Sequence, residues 1–343
     1  MAIFIISNRE ITKNRSGKLR FKDARSGKQK ASHDFRIAEY NLKENDYVIK
    51  GDLSDDDYEG VANSKSTRLT GTAYMFNKLY KSNLEGCVDA GDVLFFIHGY
   101  NYKFRDNLNH IKRLNELYLS DKSGVKHLVY VSWPSRGRIL KYKDDQLDAR
   151  ETGIVLGRLF EKLRRFFIDT FGAYEQHDPC NKKIHLAAHS MGCQVLYNML
   201  STLSQRQKFS VFSEVLLFNA DARYDGFEPD QPFTVLQEIG ERTTIYINQS
   251  DDALWISDKT KDNSKRLGRS GPKNTKILNE ETFIVDTTKV KGKASKREKF
   301  IDHWGYINRQ AVIDDVTDVL LGKINSQISK RTRHEDKRNY FLL

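Results

Sequence analysis

Apolar and polar positions along this chain follow two different rhythms. Up to residue 91, short strand-like pieces alternate with charged loops. Met1 to Ser7 reads as a first strand. Lys13 to Lys30, basic and containing Gly and Ser, reads as a hairpin or mobile loop. Asp46 to Lys50 reads as a strand, Asp52 to Glu59 as an acidic turn, and Thr72 to Ser82 as a helix. From Asp92 the apolar runs lengthen and alternate with amphipathic stretches. The runs are Val93–Ile97, His127–Ser132, Ile184–Ala188, Glu214–Phe218, Thr243–Ile247 and Thr282–Val285. Between them lie helical patterns near Asn107–Tyr118, Leu147–Phe167, Cys193–Ser204, Thr234–Ile239 and Ala253–Ser257, with Arg309–Leu321 as a closing helix.

Short continuous apolar runs bounded by turn residues suit strands buried on both faces. Strands alternating with helices predict an α/β fold with a mostly parallel central sheet flanked by helices. The runs are far shorter than the roughly 20 residues that span a bilayer. Residues 1–91 are expected to be strands and loops extending the same sheet, an N-terminal extension to a core over 92–322. Within that core, 259–299 is rich in Lys and Arg and broken by Gly268, Gly271-Pro272 and Gly292, which predicts a long loop or basic lid-like insertion. Residues 323–343 read as a basic tail or a final helix. No internal repeat is present.

In an open α/β sheet, ligands bind at the carboxyl ends of the strands, so the residues just after each apolar run carry the candidate chemistry. Ile184-His185-Leu186-Ala187-Ala188-His189-Ser190-Met191-Gly192-Cys193 is a strand running straight into a helix, with Ser190 at the turn. Serine attacks only when it stands clear of its neighbours and meets a base. A tight strand-to-helix turn exposes it, and the turn needs small residues on both sides. Ala188 and Gly192 supply them, Ala standing where the strict G-x-S-x-G form has its first Gly. The bland alternative is a serine at the start of an ordinary helix.

Three further pieces decide between the two. Phe95-Phe96-Ile97-His98-Gly99-Tyr100 is a strand ending in His-Gly-aromatic, so the Tyr100 N–H and the Met191 N–H are the candidate oxyanion donors. His98 is expected to shape this loop and, with Trp133 after the next strand, to line the substrate pocket. Ser250-Asp251-Asp252 follows a strand and offers a carboxylate to orient a base. Asp251 is preferred, with Asp221 and Asp252 as alternatives, and the unused Asp252 is expected to cap the following helix. His303, placed late in a loop after the acid, is the candidate base. The order Ser190, Asp251, His303 is the chain order of the α/β-hydrolase fold. His189 is expected to point away from the nucleophile, and Cys193 to pack against the sheet.

These phrases, together with Tyr130-Val131-Ser132-Trp133-Pro134-Ser135 and Arg266-Leu267-Gly268, resemble the bacterial α/β-hydrolases of unknown function grouped as DUF900. The resemblance covers about Asp92 to Leu321 and implies the α/β-hydrolase fold and a Ser190–Asp251–His303 triad. The chain departs from it at Cys193, where members often carry Asn.

Composition changes this picture in two places. Net charge is +11, which either favours an acidic partner such as nucleic acid, anionic lipid or an acidic protein, or merely reflects basic loops and a basic tail that raise solubility, and no specific nucleic-acid motif is present. The three cysteines, Cys87, Cys180 and Cys193, form neither a disulfide framework nor a zinc site, and a cytoplasmic location is expected. No metal or organic cofactor is called for. The expected activity is hydrolysis of a carboxylic ester on a small molecule or lipid. An amidase, thioesterase or acyltransferase, a non-catalytic binding module, and a membrane-lipid-directed toxin or defence effector are the competing readings.

Overall fold

A computed structural model describes residues 1–23, 34–53, 69–82, 90–135, 142–171, 182–203, 210–260, 264–290, 301–328 and 330–343. The chain opens with strands β1 (Ile3–Ser7), β2 (Ile11–Lys13), β3 (Leu19–Phe21), β4 (Arg36–Asn41) and β5 (Asp46–Asp52), then helix α1 (Gly71–Ser82). Strand and helix next alternate: β6 (Asp92–Ile97), α2 (Phe104–Tyr118), β7 (Val125–Ser132), α3 (Tyr142–Phe171), β8 (Ile184–His189) and α4 (Gly192–Leu200). The alternation continues through β9 (Phe212–Phe218), α5 (Leu236–Ile239), β10 (Gly240–Ile247), α6 (Asp252–Thr260), α7 (Leu267–Ser270) and β11 (Thr282–Asp286). Helices α8 (Gly305–Asn308) and α9 (Gln310–Leu320) precede the last strands, β12 (Thr332–Arg333) and β13 (Tyr340–Leu342).

Among the described residues, eleven strands form one sheet in the order β12-β13-β11-β10-β9-β8-β6-β7-β1-β4-β5. Neighbours from β13 through β1 run parallel, whereas β4 and β5 on one edge and β12 on the other pair antiparallel. The continuous apolar runs are explained by burial of both faces. In β6, Val93, Phe95 and Ile97 join a core with Leu159 and Leu163 of α3 and Leu196 and Met199 of α4. Leu94 and Phe96 face the other way, toward Ile111 and Leu114 of α2 and Val312 and Val316 of α9. Each such side chain contributes on the order of 1.5–3 kcal/mol by leaving water.

The strand order places the site. From β6 the chain moves to β7 on one side, then crosses back to β8 on the other side of β6. The loops leaving β6 and β8 therefore diverge at the carboxyl ends of these two neighbours, the position where open α/β sheets bind their ligands.

Three segments differ from expectation. β4 lies in a stretch the apolar pattern left without an element. It is held by antiparallel pairing with β1, Ile6 opposite Ile37, rather than by its own periodicity. Residues 323–343 are neither a free basic tail nor a helix. β13 pairs parallel with β11 and extends the sheet, because Tyr340-Phe341-Leu342 supplies apolar side chains and a backbone edge. Arg331, read as part of the tail's charge, is buried instead against Asp315, with Nε 2.7 Å from Oδ2 and Nη2 2.8 Å from Oδ1. In the basic stretch 259–299, Arg266, Leu267 and Leu278 are buried and β11 is a strand, so its described part is anchored to the body. Residues 261–263 and 291–300, like most of the acidic turn and the two cysteines Cys87 and Cys180, lie outside the described residues. Among the described residues, no helix is long and apolar enough to cross a membrane.

Candidate active site

Ser190 directly follows β8 with φ 53°, in the left-handed region that non-glycine residues seldom adopt. Such a conformation costs of order 1–3 kcal/mol and persists only where its surroundings over-determine it. Here the Ser190 N–H donates to the Phe218 carbonyl at 3.0 Å, and the Ser190 carbonyl accepts from the N–H groups of Asp221 and Cys193, both at 3.0 Å. The turn is thus tied to β9 on one side and to α4 on the other. Gly192 is required by contact: a Cβ there would lie 2.6 Å from the carbonyl oxygens of both Ile97 and His98. Gly99 is required in the same way, since its Cβ would stand 2.7 Å from His189 Nδ1 and 2.9 Å from Ser190 Cβ. The loops after β6 and β8 are therefore in close contact at these two glycines.

His303 Nδ1 lies 2.7 Å from Asp251 Oδ2, in a buried pair joining the loop before α8 to the end of β10. A carboxylate only accepts, so Nδ1 carries the ring proton and Nε2 presents a lone pair. Asp251 also receives Asn219 Nδ2 at 2.7 Å on the same oxygen and the Leu254 N–H at 3.1 Å on Oδ1. Burial pushes this carboxyl up, but His303 and the two further donors bring it below the ordinary carboxylate range.

The alternative acids are placed elsewhere. Asp221 bonds Ser257 Oγ at 2.8 Å and stands 3.6 Å from Arg266 Nε, and burial raises its pKa. Asp252 is exposed in the first turn of α6. The expected helix cap on α6 is therefore made by Asp251 itself, which frees Asp252 from that task.

Just past the ends of β6 and β7, His98 and Trp133 are both fully buried, which corrects the expectation that they line a substrate pocket. Their rings stack at 5.3 Å, and Trp133 Nε1 donates to the His98 carbonyl at 2.7 Å. The Trp133 N–H donates to His98 Nε2 at 3.1 Å, so Nδ1–H donates to the Gly99 carbonyl at 2.7 Å. That bond fixes the Gly99–Tyr100 peptide, whose planarity aims the Tyr100 N–H away from the His98 ring. Burial, with Arg9 nearby, holds His98 neutral far below its ordinary pKa. The Met191 N–H, at the mouth of α4, has no acceptor among the described residues.

Three further residues brace these loops in ways the sequence reading did not assign. Ser135 Oγ accepts from the N–H groups of Asn101 at 2.8 Å and Tyr102 at 3.3 Å, holding the loop beyond Tyr100. Asn219, itself left-handed at φ 44°, braces Asp251. His189 points to the His303 loop, not away from the site. A polar residue directly after a buried run is the only signal the sequence carries for Asn219 and His189, and it is one shared by many loops. Cys193 packs against β8 as expected, its Sγ 3.4 Å from the Ala188 carbonyl. Among the described residues, no group of three or more His, Cys, Asp or Glu side chains is disposed to hold a metal ion.

The profile of the family described as "Alpha/beta hydrolase of unknown function (DUF900)" matches residues 81–323. No curated protein matches the chain. Among solved structures, a Trichoderma reesei cutinase in complex with a C11Y4 phosphonate inhibitor is 17% identical, with a TM-score of 0.26. That likeness spans 43% of this chain and 59% of the cutinase chain. With more than half of its length matched, from the end of α1 to just past α9, the chain belongs to the DUF900 family of α/β hydrolases.

Proposed function

We propose that this protein is a serine hydrolase that cleaves carboxylic esters, with Ser190 as nucleophile, His303 as base and Asp251 as the acid orienting it. The observation that carries the reading is the 2.7 Å bond from His303 Nδ1 to Asp251, in a loop packed against the residue preceding a left-handed Ser190. Ser190 Oγ attacks the ester carbonyl carbon while His303 Nε2 takes its proton. The N–H groups of Met191 and Tyr100 stabilise the tetrahedral oxyanion, a contribution typically worth about a hundred- to a thousand-fold in rate per donor. The tetrahedral adduct collapses, the C–O bond to the alcohol breaks, and the imidazolium returns its proton to that leaving oxygen. Water, deprotonated by the same nitrogen, then attacks the acyl carbon, the bond from that carbon to Ser190 Oγ breaks, Oγ takes the proton back from His303, and the acid leaves. Asp251 holds the ring and stabilises its positive charge throughout.

An amidase, thioesterase or acyltransferase would use the same three side chains, so substrate preference is read from a panel of p-nitrophenyl esters, thioesters and anilides. Esters are expected to turn over fastest, and Ser190→Ala is expected to abolish turnover of every member. Equal turnover by Ser190→Ala and the parent would reject the mechanism.

A further inference from the structure

We infer that His189 is a positioning residue for the base. The inference rests on the assignment of His303 above and adds a second anchor to it. His189 ends β8 and directly precedes Ser190. Its side chain shares a face of β8 with His185 and Ala187, toward the α8 and α9 side of the sheet. There its Nε2 lies 2.8 Å from the backbone carbonyl of His303, in a buried bond. A carbonyl only accepts, so Nε2 carries the proton and Nδ1 is a bare lone pair.

That lone pair has no hydrogen-bond partner and is fully enclosed. It faces Gly99, where even a methyl group would come within 2.7 Å of it. The other tautomer would bury an unsatisfied N–H against Gly99 and set two lone pairs against each other at His303. The ring also meets those of His303 at 4.8 Å, Tyr306 at 4.9 Å and Trp304 at 5.9 Å. Packed on these sides, the imidazole keeps one orientation. Burial, and then the nearness of His303, holds it neutral, so it does not oppose the positive charge His303 gains on taking a proton.

Two bonds thus set the base from different directions. Asp251 fixes the ring through Nδ1, and His189 fixes the backbone that carries the ring. Because His189 is joined by one peptide bond to Ser190, it also keeps base and nucleophile at a constant spacing. A displacement of about 1 Å between reacting groups can cost about a hundred-fold in rate.

The test uses the full chain and p-nitrophenyl butyrate. His189→Phe keeps an aromatic ring and loses the donor, whereas His189→Gln presents an amide N–H near the position of Nε2. His189→Phe is expected to lower kcat by about 30- to 100-fold, with KM within about threefold of the parent. The downfield proton resonance of His303 Nδ1–H is expected to shift or broaden in the same variant. His189→Gln is expected to recover kcat to within about fivefold. A folded His189→Phe with parental kcat and an unchanged downfield resonance would overturn the inference. Should His189→Phe not fold, His189→Gln against the shorter His189→Asn decides it: equal kcat in those two rejects the role. His303→Gln separates the two layers. Its inactivity supports the base assignment, and parental turnover in it would remove that assignment and this inference together. An inert His303→Gln beside a fully active His189→Phe would reject His189 alone.

Discussion

One oxygen of Asp251 accepts from His303 and Asn219 while the other accepts the Leu254 N–H and so caps α6. Asp251→Asn keeps a residue able to cap but lets the ring adopt the wrong tautomer. A loss in kcat of about ten-thousand-fold is expected, with only a small change in thermal midpoint. Asp252→Asn, on an exposed side chain, is expected to stay within twofold of the parent by the usual neutrality of such sites. A severe loss in Asp252→Asn with an active Asp251→Asn would reverse the assignment. At Gly192, where a Cβ would meet two backbone carbonyls at 2.6 Å, Ala cannot be absorbed by a rotamer change. Urea titration is expected to find Gly192→Ala destabilised by about 1–3 kcal/mol. At this scale the sequence was informative for residues with a chemical signature in a rigid frame. Ser190 between Ala188 and Gly192 can be read directly, because the turn demands small neighbours. The choice between Asp251 and Asp221 could not, since both follow buried strands. Only the bond to His303, and the diversion of Asp221 to Ser257 and Arg266, separate them.

At the scale of elements, the strand ends at β6 and β7 form one support. Trp133 donates two hydrogen bonds to His98 and stacks on it, and the outcome is a fixed Gly99 carbonyl. Trp133→Phe keeps the stack and leaves the buried His98 carbonyl without its donor. A loss of about 1–3 kcal/mol in unfolding free energy is expected, together with a fall in kcat larger than the change in KM. An unchanged urea midpoint would contradict this support role. The same pair marks where position along the chain misleads. Both residues sit at carboxyl strand ends, the place where ligands bind, yet the ring stack turns them into the floor of the loop. The alternation from β6 to β11 was legible because both faces of a parallel strand are buried and its run of apolar residues is continuous. β4 and β13 were not, because β4 is of mixed composition and β13 only three residues long, and the conformation of each comes from pairing with β1 or β11.

For the whole molecule, acid is the expected weakness. Burial lowers the pKa of His98, His110 and His189, that of His110 to about 3. In the unfolded chain these rings titrate near about 6.5. Above that pH neither state is protonated at these rings and the stability is whole. Below it the unfolded state binds protons that the folded state refuses, so stability falls as pH drops from about 6.5 toward 3. The slope is up to about 1.4 kcal/mol per pH unit for each histidine. The urea midpoint is expected to be clearly lower at pH 5 than at pH 7.5, and equal midpoints would refute neutral burial. The sheet's far edge depends on the buried Arg331–Asp315 pair. Arg331→Met, which leaves the buried Asp315 carboxylate with the Tyr246 hydroxyl but no cation, is expected to cost about 3–5 kcal/mol. The most direct test of the central claim is covalent. Fluorophosphonate is offered to the intact protein, and the adduct is weighed and mapped by mass spectrometry. One equivalent on Ser190, slowed severely in His303→Gln and absent in Ser190→Ala, is the predicted result. An unlabelled protein beside a labelled control esterase, or an adduct mapped to another residue, would contradict the account.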